Sequence, residues 1–83
     1  MKLMYFAWLR LRTGIGEEEL ALPAGVETVS ELVDWLKTRG SGYTKAFQEL
    51  RAIRVAVNQV YVSFDHRLAE GDEVAFFPPV TGG

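Results

Sequence analysis

Thr28-Val29-Ser30-Glu31-Leu32-Val33-Asp34-Trp35-Leu36 is the stretch on which the fold turns. Thr28 with Glu31 three residues later has the form of a capping box, in which each side chain satisfies a backbone N–H left unpaired at a helix start. Val29, Leu32, Val33 and Leu36 recur at i, i+3, i+4 and i+7 and make one apolar stripe. Ser30, Glu31, Asp34 and Lys37 take the solvent side, with Trp35 at the flank of the stripe. Gly40 is a natural C-terminal stop. Tyr43 to Leu50 can form a short second helix.

Outward from this helix the chain reads as strands. Residues 2–11 are rich in aromatic and branched side chains and form a first strand. Its two faces, Leu3, Tyr5, Ala7, Leu9, Leu11 and Met4, Phe6, Trp8, are both apolar, as in an interior strand. Arg12-Thr13-Gly14-Ile15-Gly16 is a turn, and Glu19 to Leu22 is a second strand paired with the first, ended by Pro23 and Gly25. Beyond the helix, Ile53 to Val57 is a third strand with Ile53, Val55 and Val57 on one face. Asn58-Gln59 turns the chain into a fourth, Val60 to Phe64. Asp65 to Asp72 is a polar connection anchored by Leu68, and Glu73 to Phe77 is the last strand, with Val74 and Phe76 inward and Ala75 and Phe77 outward.

The order ββαβββ predicts one sheet packed on one helix, and one helix covers only one face. Phe6, Trp8, Phe77 and Tyr61 then point to the uncovered face. Aromatics of 150–250 Å² each would together exceed the roughly 300–600 Å² patch usual on a monomer. That predicts a docking surface.

Composition narrows the chemistry. Eighty-three residues with 48% hydrophobic content suit one globular domain. No apolar run approaches membrane-spanning length, and the apolar opening reads as a strand, which predicts a cytoplasmic protein. The chain has no cysteine, so disulfides, iron–sulfur ligation and cysteine nucleophiles are excluded. A single histidine, His66, leaves no material for a conventional zinc site or a Ser-His triad. A net charge of −2 and a pI near 5.3 argue against nucleic acid and favour partners that are basic around the docking site.

The last strand runs into Phe76-Phe77-Pro78-Pro79-Val80-Thr81-Gly82-Gly83. Pro78-Pro79 ends strand pairing and favours a stiff polyproline-II spacer. At about 3.3–3.6 Å per residue, the four residues beyond it reach roughly 14 Å, enough to enter a neighbour's cleft. Gly82 and Gly83 carry no Cβ, so a partner can close a narrow channel around them. A carboxylate is a poor acyl donor until it is converted to an acyl-adenylate. Sulfur or lysine nucleophiles could then attack it. The expected division is a globular body, 1–77, and an extended functional tail, 78–83, flexible at its Gly-Gly end.

Ala56-Val57-Asn58-Gln59, Val62-Ser63-Phe64-Asp65-His66 and the whole run Gly71 to Gly83 closely resemble the MoaD family, the small subunits of molybdopterin synthase. Lys2 to Leu11 also resembles that family's first strand. The resemblance covers the chain and is strongest from Val55 onward. It implies an α+β, ubiquitin-like β-grasp fold with a mixed sheet. It also implies that a MoeB-type, E1-like enzyme adenylates the Gly83 carboxylate with ATP, and that a cysteine desulfurase or rhodanese relay converts it to a thiocarboxylate. The charged tail, Pro78, Pro79, Val80, Thr81 and Gly82 leading to Gly83, would then enter the active site of a MoaE-type large subunit. There sulfur passes to cyclic pyranopterin monophosphate, in a heterotetramer of two large and two small subunits. Phe6, Tyr61 and Phe77 match the family's docking positions. On this reading the chain is no enzyme alone, holds no permanent cofactor and has no metal site.

Three other readings stand beside it. A thiamine-type carrier shares the Gly-Gly end but generally lacks the Phe-Phe-Pro-Pro root. A ubiquitin-like modifier would join Gly83 to target lysines. A plain interaction module would function without Gly83. Among the remaining residues, Asp65-His66 reads as a solvated turn, and Glu17-Glu18-Glu19 as a solvated strand edge, since three consecutive strand residues cannot point one way. Arg10 and Arg12 read as keeping a strand end soluble, with contact to a phosphate or an acidic partner as the alternative.

Overall fold

The computed structural model describes residues 1–79. Five strands, β1 (Lys2–Tyr5), β2 (Glu17–Glu19), β3 (Arg54–Val57), β4 (Val60–Val62) and β5 (Glu73–Phe77), form one sheet in the order β2-β1-β5-β3-β4. β1 and β5 are parallel at its centre, and the other neighbours are antiparallel. Three helices, α1 (Trp8–Thr13), α2 (Val29–Lys37) and α3 (Ser41–Ala46), and one 3-10 turn (Leu50–Ala52) complete the described chain. This mixed five-stranded sheet with helices packed on it is the expected ubiquitin-like β-grasp.

The capping box of α2 is formed. Thr28 Oγ1 accepts from the Glu31 N–H at 3.2 Å, and the Glu31 carboxylate accepts from Thr28 N–H at 3.1 Å and Glu27 N–H at 2.8 Å. The two remaining leading donors are met from across the molecule: Val29 N–H by the His66 carbonyl (3.0 Å) and Ser30 N–H by the Phe64 carbonyl (2.7 Å). Val29, Leu32, Val33 and Leu36 are fully buried against Leu3, Tyr5, Ile53, Val55, Val74 and Phe76. Each such side chain contributes about 1.5–3 kcal/mol on burial, so this stripe outweighs any difference in helix propensity along α2. Phe47 closes the far end, its ring 4.9 Å from Phe76 and edge-on.

Four elements differ from expectation by two residues or more, and β3 starts one residue late, at Arg54. The first strand stops at Tyr5, because Ala7 adopts φ 54°, ψ −132° and turns the chain into α1. Trp8 therefore does not lie on the open sheet face. It is half-buried against the core, with the Arg12 guanidinium 4.6 Å over its ring. A six-residue helix carries too few turns for its period to stand out, and the Leu9/Leu11 alternation imitates a strand. In fact Leu9 is buried and Leu11 is 82% exposed.

A short β1 moves its partner. β2 pairs Glu17, Glu18 and Glu19 with Met4, Leu3 and Lys2. Leu20 N–H then meets the Met1 carbonyl, and Leu22 N–H turns to the Glu70 carboxylate, so of the expected strand Glu19 to Leu22 only Glu19 lies in the sheet. β4 ends at Val62 because the Phe64 and His66 carbonyls are drawn to the start of α2. The second helix spans Ser41–Ala46 instead of Tyr43 to Leu50, and Gly40 opens it after α2 has ended at Lys37. Gly42 lets it approach α1, since a Cβ there would collide with the Arg12 carbonyl oxygen.

Candidate docking face and tail root

Strand registers assemble the face that no helix covers. Met4 lies opposite Ala75, Ala75 opposite Ala56, and Ala56 opposite Tyr61, giving one row across the sheet. In the next row Arg54 lies opposite Phe77. Phe6 follows Tyr5, which pairs with Phe76, so Phe6 flanks Phe77 from the other side. The two alanines form a floor, only 6% and 9% exposed under their taller neighbours.

The aromatic residues expected on this face are therefore neighbours. Tyr61 is 70% exposed and Phe6 47%, while Phe77 is half-buried between them. The Tyr61 and Phe77 ring centroids are 5.3 Å apart. Exposed Val60 extends the patch along β4. An aromatic body with little rotamer freedom, standing over a small-residue floor, is suited to anchoring a partner.

The tail starts at the same place. Phe6 N–H donates to the Phe76 carbonyl at 3.1 Å, and Phe77 is the last residue of β5 before half-buried Pro78 and Pro79. Parallel pairing of β5 with β1, both central, fixes this exit on two sides. Val80, Thr81, Gly82 and Gly83, to which sequence reasoning assigned the chemistry, lie outside the described residues.

Sequence reasoning missed two parts of the surroundings. Glu18 is turned inward from the edge strand, its side chain 14% exposed. Its carboxylate accepts from the Tyr5 hydroxyl (2.8 Å), the Tyr43 hydroxyl (3.0 Å) and the Arg39 guanidinium (2.7 Å). Burial opposes its charge, but the bonds from Arg39, Tyr5 and Tyr43 together hold its carboxyl below the usual range. Burial and the same carboxylate push the Tyr5 hydroxyl up. The strand alternation that sets Glu18 apart from Glu17 and Glu19 was the available signal; its partners, distant in sequence, gave none. The other omission is a groove of about 460 Å³ beside Phe6, between β1, the start of α1 and the start of β2.

His66 is exposed, and its backbone serves the start of α2. Arg10 and Arg12 lie on α1. Arg12 stacks on Trp8 and donates to the Lys45 carbonyl at 3.2 Å, whereas Arg10 borders the groove. Among the described residues no group of three or more His, Cys, Asp or Glu side chains is placed to hold a metal ion, and no helix is long and apolar enough to cross a membrane.

Comparison with known proteins gives one consistent family. The model of the ThiS family matches residues 3–83. The molybdopterin synthase sulfur carrier subunit of Escherichia coli K12 is 42% identical over 83 residues, covering 100% of this chain and 99% of that protein. Among solved structures, the small archaeal modifier protein 1 of Haloferax volcanii superposes with a TM-score of 0.67 at 26% identity, over 96% of this chain and 97% of that one. The Amycolatopsis orientalis BexX/CysO complex contains a chain with a TM-score of 0.73 at 26% identity, over 99% and 98%.

Proposed function

We propose, from the premise that this chain belongs to the ThiS family, that it is the sulfur carrier subunit of a molybdopterin synthase. The observation that carries the reading is the meeting of two features at one end of the sheet. The aromatic cluster Phe6–Phe77–Tyr61 stands on the uncovered face, and β5 leaves that cluster directly into the tail. A partner gripping the cluster would receive the tail in a fixed direction. Full-length likeness to a named sulfur carrier subunit supplies the chemistry.

In this reading an E1-like enzyme attacks ATP with the Gly83 carboxylate, forming the acyl-adenylate and releasing pyrophosphate. A relay protein's persulfide displaces AMP to form an acyl disulfide, and a second thiol cleaves its S–S bond, leaving the thiocarboxylate on Gly83 and a disulfide on the relay. The large subunit then takes the tail, and sulfur passes to cyclic pyranopterin monophosphate. Water restores the carboxylate. Adenylation removes the negative charge that opposes attack and creates a good leaving group. The body's contribution is positional, holding the tail in a partner's cleft without losing its own fold.

The test is mass spectrometry of the tryptic peptide Leu68–Gly83 after incubation with ATP, an E1-like enzyme and a sulfur source. That peptide contains neither methionine nor tryptophan, so side-chain oxidation there cannot imitate exchange of oxygen for sulfur. The expected result is a mass gain of sulfur minus oxygen at Gly83. An unchanged peptide, with the enzyme competent on another carrier, refutes the reading. Likeness to the small archaeal modifier protein 1 favours a second reading, attachment of Gly83 to lysines. It requires lysine conjugates that disappear when Gly83 is deleted.

A further inference from the structure

We propose that the groove beside Phe6 is a socket for a partner's acidic, apolar segment, with Arg10 anchoring the carboxylate. The proposal rests on the carrier reading, because it assigns the groove to the proteins that grip the tail root.

The groove has the two halves such a segment needs. Met4, Phe6 and Ile15 supply an apolar wall, with Phe6 47% and Ile15 37% exposed. Arg10 supplies the cation, and its seat is built. A Cβ on Gly16 would stand 3.1 Å from both the guanidinium carbon and Nε of Arg10, so the guanidinium lies close over the Gly16 backbone at the entry to β2. The Tyr5 N–H to Gly16 carbonyl bond, 2.8 Å, fixes that backbone.

Charge decides the occupant. Among the described residues no carboxylate pairs with Arg10 within 4.0 Å. Glu17, the acid in the groove wall, is taken by Lys2 at 3.2 Å. Arg12, two residues on, is already stacked on Trp8. Arg10 thus has no carboxylate partner at the groove edge of the aromatic patch, whereas Arg54, opposite Phe77, is engaged by the Arg51 and Ile53 carbonyls, and the Arg10 fork suits a carboxylate two-handedly. Phe6 belongs to both surfaces, so a partner seated on the aromatic cluster reaches the groove without a gap. The best-fitting segment presents an aliphatic side chain next to Asp or Glu. Such a contact would also fix the rotation of the partner about the tail axis, which a flat aromatic patch leaves open.

The experiment is calorimetric titration of the full chain against the large synthase subunit of the same organism, at low and at moderate salt, with thermal melts to establish that each variant is folded. Arg10→Ala is expected to bind about tenfold more weakly, with a flatter salt dependence, and Arg10→Glu more weakly still. Arg10→Lys keeps the charge but loses the two-handed fork, and is expected to weaken binding too. Wild-type affinity and salt dependence in Arg10→Ala would overturn the socket. Weak binding by Arg10→Ala with full binding by Arg10→Lys would also overturn it, because the arginine would then act as a long-range charge. Failure of the carrier reading looks different: the unaltered chain itself would not bind and would take no sulfur.

Discussion

Replacing Glu18 by alanine should cost this protein about 2–4 kcal/mol, a large share of the roughly 4–12 kcal/mol expected for a domain of this size. The magnitude follows from what each partner loses. The Tyr5 ring is 1% exposed, so its hydroxyl would be left without an acceptor away from water, at about 1–3 kcal/mol. The Arg39 side chain is 33% exposed and recovers solvation, so losing its 2.7 Å contact adds no more than about 1 kcal/mol. Half-buried Tyr43 loses less than Tyr5, since water can reach it. Urea unfolding read at the midpoint is the assay. Tyr5→Phe alone should cost about 0.5–1.5 kcal/mol. The double variant should cost less than the sum, because removing donor and acceptor together orphans neither. A Glu18→Ala cost under about 0.5 kcal/mol, or strict additivity in the cycle, would refute this account.

The same cluster sets a pH dependence with a definite sign. Glu18 is held below its ordinary value of 4.5 in the folded protein. Its stabilising contribution is therefore complete above that value and is lost as pH falls through the lower folded one. The stability difference between the protein and Glu18→Gln should shrink on acidification below about pH 4.5. A difference that grew on acidification would reverse the assigned shift.

Three further substitutions test other parts of the molecule. Ala7→Gly should raise stability by about 1 kcal/mol in the same urea assay, since φ 54°, ψ −132° strains alanine more than glycine's extra unfolded freedom costs. Gly42→Ala should lower it by about 1–3 kcal/mol, because the new methyl forces α3 away from the Arg12 carbonyl of α1. Tyr61→Ala should change stability by less than about 0.5 kcal/mol, its side chain being largely solvated. It should weaken binding to the large subunit at least tenfold, measured by calorimetry.

What the sequence made legible follows from the range of the interactions involved. α2 announces itself because its cap and stripe lie within nine residues, and both are realised. β5 is legible for the same reason: Val74 and Phe76 inward, Ala75 and Phe77 outward, all within five residues. Ala7 is the counter-example. Nothing local marks an alanine for positive φ, and the strain is held there by the packing of Leu9 and the docking of α1 on α3. Reading β1 through to Leu11 therefore displaced Trp8 to the wrong face and shifted β2 by two residues. Phe6 and Phe77 survived that error because Phe6 directly follows the last residue of β1 and Phe77 ends β5, where alternation still holds.

Glu18 was legible only as a parity, inward where its neighbours are outward. Tyr43 and Arg39 reach it over 25 and 21 residues, beyond any local pattern. These cases divide along one line. The aromatic cluster and the exit of β5 depend on alternation within single strands, and the sequence carries alternation in plain form. The Glu18 cluster and the Arg10 seat depend on loops brought together by α1 and α3, the two short helices with the weakest local signals. A change in those helices would leave the open face intact while altering the groove at its edge. On the proposed carrier reading, the open face would present the tail root alike to each partner, while the groove beside it would be the part open to tuning.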